Sequence, residues 1–432
     1  MRTRLSSVSC AATTVAAAAI TWSACRGGPS ESSAWTVTTE TLPNGASLVV
    51  NTPPTGDDEP TWWIEEELRI GELDEPGPTS FGEIRGIAVT EDGHIAVLET
   101  QSQELRVFRP DGSHAATFGG KGGGPGEFEG AHGLMLGPDG NLFVPETRNA
   151  RMSVVHPTGG FVRSHPLRLL RRGFISSFVM DAEGRLLKPS LILEEDRRPV
   201  IRVYDREMNE VEVRSLPAEP EIDQDDPPMS WAFRTATGGG YSSVPWFPRA
   251  TRMLDPTGEI WSTALGDPEY RIFRWSPDGD TTLVVETVAT AIPVTQAERD
   301  SAFDQVRVGI EDLGGTITGD ASKIPDTKPA IERMFLSQEG ALWVRRSSDD
   351  GVFHFDVYDR SGRRAGGAVT TVSFLPYVSP VVRGNEIWGV VTDELDVPYV
   401  VRGRLLPFEC RPGSPTISEA RTTCLEIGSA GS

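Results

Sequence analysis

Residues whose side chains could bind or transform a ligand recur at one distance before a series of short turns. Counting eight residues back from each of six turn positions gives a mostly polar set: Arg85, His132, Ser176, Ala250, Glu332 and Tyr377. An imidazole and a carboxylic acid can exchange protons with a bound molecule near neutral pH. His132 and Glu332 are therefore candidates for a general acid/base pair, whereas Arg85 and Tyr377 suit ligand binding.

A second set lies two residues further along, six residues before each turn. It is mostly apolar and consists of Ile87, Leu134, Phe178, Arg252, Met334 and Ser379. Residues two apart in a strand lie on the same face of a sheet, so we expect a polar ring at the outer end of an apolar core. The alternative is that the polar side chains only hydrate a rim. The expected ring takes Arg252 from the second set where the first set has the apolar Ala250. It consists of Arg85, His132, Ser176, Arg252, Glu332 and Tyr377.

The sequence argues against several other kinds of site. Of the six histidines only His132 falls in the polar set, so we expect neither a metal nor another cofactor. The run 119–126 contains Lys121 but lacks the Gly-Lys-Ser/Thr that opens a helix in a phosphate loop, so it is expected to connect two sheets. A formal charge of −21 argues against binding to nucleic acid.

The turns that set this count come from a repeat. In each one, an apolar strand residue follows two positions after the turn residue, as Ile95 follows Gly93. Asp-Gly between alternating apolar runs predicts a hairpin because both residues tolerate positive φ. A further strand of similar composition follows each turn, which predicts six four-stranded antiparallel units. The turns are Asp92-Gly93, Asp139-Gly140, Glu183-Gly184, Thr257-Gly258, Glu339-Gly340 and Gly384-Asn385.

Such sheets cannot bury both faces alone and must stack on one another. Radial stacking of four-stranded sheets gives a β-propeller. The predicted fold class is therefore all-β, a six-bladed β-propeller over residues 61–408. The segment 62–70 has the pattern of the last strand of a unit. We expect it to pair with the C-terminal unit, which would close the ring and remove an exposed edge.

Two steps between turns are longer than the others. The first excess, over residues 216–240, is acidic and rich in Pro and Gly, and it predicts a loop. The second, over residues 293–325, predicts one helix at about 295–312. Thr295 and Glu298 form the sequence pattern of a capping box at its start. Long insertions on a rigid ring often carry function.

The N-terminus has the layout of a secretory signal over residues 1–24. Arg2 and Arg4 precede a weakly apolar run, and Ser23 and Ala24 precede Cys25 as small residues do in a bacterial lipoprotein box. We therefore predict export and lipid attachment at Cys25, the alternative being ordinary signal cleavage nearby. Residues 25–60 would form a tether and a hairpin.

Two cysteines remain near the C-terminus, in a tail over residues 409–432. Exported proteins form disulfides readily, and two cysteines with no histidine nearby are too few for a metal site. We therefore expect a disulfide between Cys410 and Cys424.

Four segments of the repeat carry a resemblance to a known family, namely Phe81–Ile84, Asp92–Ile95, Leu105–Phe108 and Gly119–Phe128. They resemble the NHL-type six-bladed β-propellers, in particular the bacterial secreted or lipoprotein "6-bladed β-propeller" group of unassigned activity. The similarity covers about residues 61–405 and implies a fold and a binding surface, not a reaction. Lyases and lactonases of similar fold use several His, Glu or Asp residues in the channel, usually around a metal.

These observations favour an exported, lipid-anchored binding or scaffold module of the cell envelope, expected to be a monomer. Its partner would be a protein, peptide or glycan that it meets at the channel mouth or along the insertions. The alternative is a propeller hydrolase or lyase that uses His132, Glu332, Arg85 and Arg252 in the channel. A stalk-like structural role without a ligand is a third hypothesis.

Overall fold

The computed structural model describes residues 34–54, 60–73, 76–167, 178–191, 199–216, 223 and 226–412. The predicted signal segment 1–24, Cys25, Ser176 and Cys424 lie outside the described residues. The signal, the lipid attachment, the role of Ser176 and the disulfide of Cys410 with Cys424 therefore stay predictions.

Strands dominate the described residues, which also include the helix α1 (Gln296–Asp312). The strands, in chain order, are β1 (Thr36–Thr41), β2 (Ser47–Thr52), β3 (Trp62–Ile70), β4 (Ile84–Val89), β5 (Ile95–Glu99), β6 (Glu104–Phe108), β7 (His114–Gly119), β8 (Met135–Leu136), β9 (Leu142–Glu146), β10 (Arg151–His156), β11 (Gly160–Pro166), β12 (Val179–Met180), β13 (Leu186–Leu191), β14 (Pro199–Tyr204), β15 (Glu210–Ser215), β16 (Ser230–Thr235), β17 (Gly238–Ser243), β18 (Arg252–Leu254), β19 (Ile260–Ser262), β20 (Arg271–Trp275), β21 (Thr281–Thr287), β22 (Gly315–Ile317), β23 (Ile331–Leu336), β24 (Leu342–Arg346), β25 (Phe353–Tyr358), β26 (Arg364–Thr370), β27 (Val381–Arg383), β28 (Glu386–Thr392) and β29 (Pro398–Pro407). None of the described helices is long and apolar enough to cross a membrane.

Most of these strands belong to antiparallel runs of four, which we call units. In the described part of the chain, unit 1 is β4–β7, unit 2 is β8–β11, unit 3 is β12–β15, unit 4 is β18–β21, unit 5 is β23–β26, and unit 6 is β27, β28, β29 and β3. The first strands of neighbouring units lie side by side, as β4 does with β8 and with β27.

The turn between the first and second strand of each unit is tight and uses a glycine with positive φ. Glycine takes this conformation without the steric cost that a Cβ would bring. The repeat read from the sequence therefore corresponds to one local structure. The glycines and their φ angles are Gly93 (85°), Gly140 (75°), Gly184 (76°), Gly258 (84°), Gly340 (84°) and Gly384 (55°).

The core consists of apolar clusters between units. One cluster joins each unit to the next in chain order, from unit 1 through unit 6. A further cluster packs Trp388 and Val400 of unit 6 with Ile87 and Phe108 of unit 1. Burial of these faces between stacked sheets provides the main apolar stabilisation. The fold is thus all-β and of the β-propeller type.

The N-terminal strands are built into the sheets of later units. β3 pairs antiparallel with β29, in a register that sets Ile70 opposite Val400 and Trp62 opposite Pro407. β1 and β2 form a hairpin around Asn44-Gly45. β2 then extends unit 4 by pairing in parallel with β21, the last strand of that unit.

The two insertions fold together. β16 pairs with β17 and with β22, so strands from both insertions form one three-stranded sheet. α1 begins after Thr295, and the predicted capping box with Glu298 forms. The prediction of a loop over residues 216–240 is wrong for β16 and the start of β17. These residues form a hairpin because the second insertion supplies a partner strand and an apolar face.

Candidate functional site

Arg85 and Glu332 occupy equivalent irregularities in the first strands of units 1 and 5. The register of β4 against β5 skips Arg85, and the register of β23 against β24 skips Glu332. Such a β-bulge leaves one residue outside the ladder and turns its side chain away from the regular alternation. Both side chains therefore project at the end of the strand where the chain enters the unit.

Arg85 lies at the centre of a group of polar side chains. Its Nε donates to Glu83 Oε1 at 2.9 Å, and Thr100 Oγ1 donates to Glu83 Oε2 at 2.6 Å. The hydrogen bond from Thr100, aided by Arg85, lowers the pKa of Glu83. The Arg85 guanidinium also lies 5.1 Å from the centroid of the Tyr377 ring. We call Glu83, Arg85, Thr100, His132 and Tyr377 the Arg85 cluster.

His132 joins this cluster from unit 2. The two first strands approach closely at Gly86, where an added Cβ would lie 2.7 Å from Leu134 Cβ. Burial and the nearby charge of Arg85 lower the pKa of His132, while Glu83 opposes that shift. The imidazole is therefore neutral at pH 7, and it can donate one hydrogen bond and accept another.

Glu332 has a different set of neighbours. Its Oε2 lies 2.9 Å from Arg345 Nε, and Ser347 Oγ donates to its Oε1 at 3.0 Å. Besides burial, which lowers the pKa of His132, the charged groups that act on that pKa are Arg85 and Glu83. The structure therefore pairs Glu332 with Arg345, and it places His132 in the Arg85 cluster.

Arg333 connects these two groups. Its Nη1 donates to the carbonyl oxygen of Leu375 at 3.2 Å, two residues before Tyr377. Burial, together with repulsion from Arg345, lowers the pKa of Arg333. The segment 375–377 thus contacts Arg333 at Leu375 and Arg85 at Tyr377. We call Glu332, Arg333, Arg345 and Ser347 the Glu332 cluster.

A buried carboxylate holds the segment that carries Glu83. Glu99 at the end of β5 is almost fully buried and accepts from the backbone N–H of Glu83 at 2.8 Å. It also accepts from the backbone N–H of Ser102 at 2.6 Å. In unit 2, Glu146 at the end of β9 accepts from the backbone N–H of Glu129 at 3.1 Å. These carboxylates position the segments that lead into β4 and β8.

The remaining members of the predicted polar ring are placed as follows. Arg252 is the first residue of β18 and is partly buried, opposite Ser262 in the register. Ser176 lies outside the described residues. Arg85, His132 and Tyr377 come together. Glu332 belongs to the cluster that contacts segment 375–377 through Arg333, and Arg252 belongs to unit 4.

Sequence reasoning missed five members of the two clusters, namely Glu83, Thr100, Arg333, Arg345 and Ser347. Glu83 had a local signal, since it precedes Arg85 by two residues and an opposite charge at that spacing can share its face. Arg333 stood next to Glu332 as a second charge at the start of an apolar strand. Thr100, Arg345 and Ser347 lie in or directly after the neighbouring strands β5 and β24, so their positions follow only from the pairing.

The opposite end of the first strands is held by hydrogen bonds to backbone carbonyls of other units. Gln338 of unit 5 donates from Nε2 to the carbonyl of Val89 in unit 1 at 3.0 Å, and from its backbone N–H to Val382 of unit 6 at 2.9 Å. Arg383 donates to the carbonyl of Thr90. The Arg85 cluster and these contacts thus lie at opposite ends of the same strands.

Within the ranges that the structure describes, no three His, Cys, Asp or Glu side chains are grouped so that they could hold a metal ion. The chemistry available to the two clusters is therefore read from their own side chains. They offer guanidinium donors, a neutral imidazole, a phenol ring and carboxylates that are already hydrogen-bonded.

The chain matches no protein-family model, and a search of curated proteins finds no match. Solved structures with a similar arrangement include a member of the DUF4221 family from Bacteroides vulgatus, with 9% identity, a TM-score of 0.48 and coverage of 80% of this chain and 98% of that one. A calcium-binding protein, regucalcin, from Agrobacterium tumefaciens has 11% identity, a TM-score of 0.36 and coverage of 79% and 96%.

Virginiamycin B lyase from Staphylococcus aureus has 11% identity, a TM-score of 0.30 and coverage of 73% of this chain and 83% of that one. At TM-scores below 0.5, these similarities carry no argument about what this chain binds or does.

Proposed function

We propose that the chain is a six-bladed β-propeller, closed by the pairing of β3 with β29, that acts as an exported binding or scaffold module of the cell envelope. Its partner, a protein, peptide or glycan, would meet it at the channel mouth. The closed ring is supported by the apolar cluster between units 6 and 1 and by the reach of Gln338 to Val89.

The observation that carries the binding function is the convergence of the two clusters on segment 375–377. Arg85 and Arg333, from the first strands of units 1 and 5, contact this segment, which leads into unit 6. His132, which precedes the first strand of unit 2, lies near Arg85. The side chains of the two clusters include arginines, a tyrosine and a neutral histidine, and the carboxylates among them are occupied by hydrogen bonds. Such a surface offers fixed donors and a ring face, which suit recognition of a ligand.

The position of the two insertions is further evidence that the binding face lies at this end of the ring. One insertion connects unit 3 to the first strand of unit 4, and the other connects unit 4 to the first strand of unit 5. Both therefore lie where Arg252 and Glu332 begin their strands. Their shared sheet would form a wall beside the mouth.

The binding function is tested by capture of a partner from an envelope extract, using the full chain in detergent. The double variant Arg85→Ala/Tyr377→Ala should lose the captured partner. Arg109→Ala is the matched control, because this exposed arginine lies at the opposite end of unit 1. Equal capture by all three proteins would refute a binding site at the mouth.

Export and anchoring rest on the sequence of residues 1–25. In cells, Cys25→Ser should release the protein from membranes into the soluble fraction, because the acylated side chain would be lost. Unchanged membrane retention of the Cys25→Ser protein would contradict lipid attachment.

A further inference from the structure

The charges around the proposed mouth differ in sign from those of the whole chain. The segments 83–86, 131–134, 249–252, 331–334 and 375–379 lead into the first strands of units 1, 2, 4, 5 and 6. Together they contain four arginines and two glutamates, a formal excess of two positive charges, in a chain of formal charge −21. A local excess of this kind attracts an anionic group.

Two of the nearby arginines already have carboxylate partners. Arg85 is neutralised by Glu83, and Arg345 is neutralised by Glu332. Both glutamates have a further hydrogen bond, from Thr100 and from Ser347. These two pairs form a preorganised frame and leave no carboxylate of their own for a third guanidinium.

Arg333 is that third guanidinium. Within the described residues its hydrogen-bond partner is the carbonyl of Leu375, and no carboxylate lies within ion-pair distance of it. A guanidinium carries five N–H donors in a planar fork that matches a carboxylate. A partly buried cation without an anion is costly, so binding of an anion here would be favoured.

We propose that Arg333 anchors the free carboxylate of a ligand at the mouth, and that the rest of this ligand packs on the Tyr377 ring. The proposal rests on the proposed binding function and adds the chemical class of the ligand. Tyr377 is 54% exposed and is held by Arg85 on one face, so the ring is available and oriented. A neutral His132 would contribute a hydrogen bond and no charge.

The carboxylate could be carried by a sugar acid or by the end of a peptide, and matched probes distinguish the two. Binding to the full chain is measured by calorimetry for glucuronate against glucose, and for N-acetyl-dialanine against its C-terminal amide. We expect at least one acid to bind about tenfold or more tightly than its neutral counterpart. The acid that binds identifies the source.

Arg333→Gln should weaken binding of that acid by about tenfold or more, and Arg333→Lys should retain part of it because the charge remains. Arg109→Gln should bind as the wild type does. Thermal unfolding of each variant shows whether it is folded. If Arg333→Gln does not fold, the partial weakening of acid binding that we expect of Arg333→Lys is measured instead. Added salt should weaken binding because the ion pair is screened.

Binding of neither acid, equal binding of acid and neutral counterpart, or unchanged binding by both Arg333 variants would overturn the carboxylate proposal. If the Arg85→Ala/Tyr377→Ala protein still loses its captured partner in that case, the mouth binds a ligand of another class. If capture is also unaffected, the binding function itself fails.

Discussion

The guanidinium of Arg85 lies 5.1 Å from the centroid of the Tyr377 ring, which joins the first strand of unit 1 to the segment leading into unit 6. A cation over an aromatic ring contributes about 0.5–1 kcal/mol at exposed sites. The contact therefore links two ends of the chain that the fold brings together, and it orients the ring that we assign to ligand binding.

The first prediction concerns this pair. In a double-mutant cycle of Arg85→Gln and Tyr377→Ala, urea unfolding should give a coupling energy of about 0.5–1 kcal/mol. Tyr377→Phe should keep the coupling because the ring face remains. A coupling of zero within error would show that the two side chains do not interact in solution.

The second prediction concerns the N-terminal hairpin. Asn51 in β2 is fully buried, and its Nδ2 donates to the carbonyl of Gly362 at 3.0 Å, while its Oδ1 accepts from the backbone N–H of Arg364 at 2.9 Å. Asn51→Ala should lower the free energy of unfolding by about 2–4 kcal/mol, since buried partners lose their hydrogen bonds.

Thr38→Ala is the control for this hairpin, because Thr38 is exposed on β1. It should change the free energy of unfolding by less than about 0.5 kcal/mol. Equal effects of Asn51→Ala and Thr38→Ala in denaturant titrations would contradict the docking of β2 between units 4 and 5.

These examples show which parts of the structure are visible in the sequence. The capping box of Thr295 and Glu298 and the turn glycine Gly93 are local signals, because three residues or fewer determine the geometry. The partners of Asn51 and the pairing of Phe233 with Ile317 are distant in sequence, and no local pattern specifies them.

The candidate site likewise has parts that the local sequence predicts and parts that depend on strand pairing. Arg85 and Tyr377 were found because both precede a repeated turn by the same number of residues. The bulge at Arg85, which turns its side chain out of the ladder, leaves no mark in the apolar pattern. Arg345 reaches the site from a neighbouring strand, and its role depends on the register of that strand.

The third prediction concerns alkaline pH. Burial and the neighbouring charge of Asp356 raise the pKa of Tyr270 well above its ordinary value, and its hydroxyl donates to Asp356 at 2.9 Å. Burial likewise raises the pKa of Tyr358. Below pH 10 both tyrosines keep their phenol protons in the folded and in the unfolded chain. Above pH 10 the unfolded chain loses these protons and the folded chain does not, so the free energy of unfolding falls as pH rises.

The expected slope above pH 10 is about 1.4 kcal/mol per pH unit for each of the two tyrosines. Tyr270→Phe should remove the contribution of that residue, although it also lowers stability at neutral pH because Asp356 loses a donor. Denaturant unfolding between pH 8 and pH 11 measures the slope. An unchanged slope in Tyr270→Phe would show that this phenol titrates freely in the folded chain.

The fourth prediction concerns the two insertions. Trp231 of β16 is 0% exposed, packs against Phe303 of α1 with ring centroids 5.3 Å apart, and donates from Nε1 to the carbonyl of Asp320 at 3.0 Å. Trp231→Ala should lower the stability of the shared sheet and α1 by about 3–5 kcal/mol. Because the two insertions fold together, both should lose protection from hydrogen exchange.

Leu313→Ala is the control, since this side chain is 72% exposed at the end of α1. It should leave exchange in β16, β17 and α1 unchanged, while exchange in units 1 and 2 should be unchanged in both variants. Loss of protection in one insertion alone would contradict their folding as a pair.

The central claim is that a ligand binds where the first strands of the units begin. Hydrogen exchange of the full chain, with and without the captured partner, tests this most directly. The account predicts slower exchange in residues 82–86, 131–135, 331–334 and 375–379. Protection confined to the outer strands β7, β11 and β15, with those four segments unchanged, would contradict it.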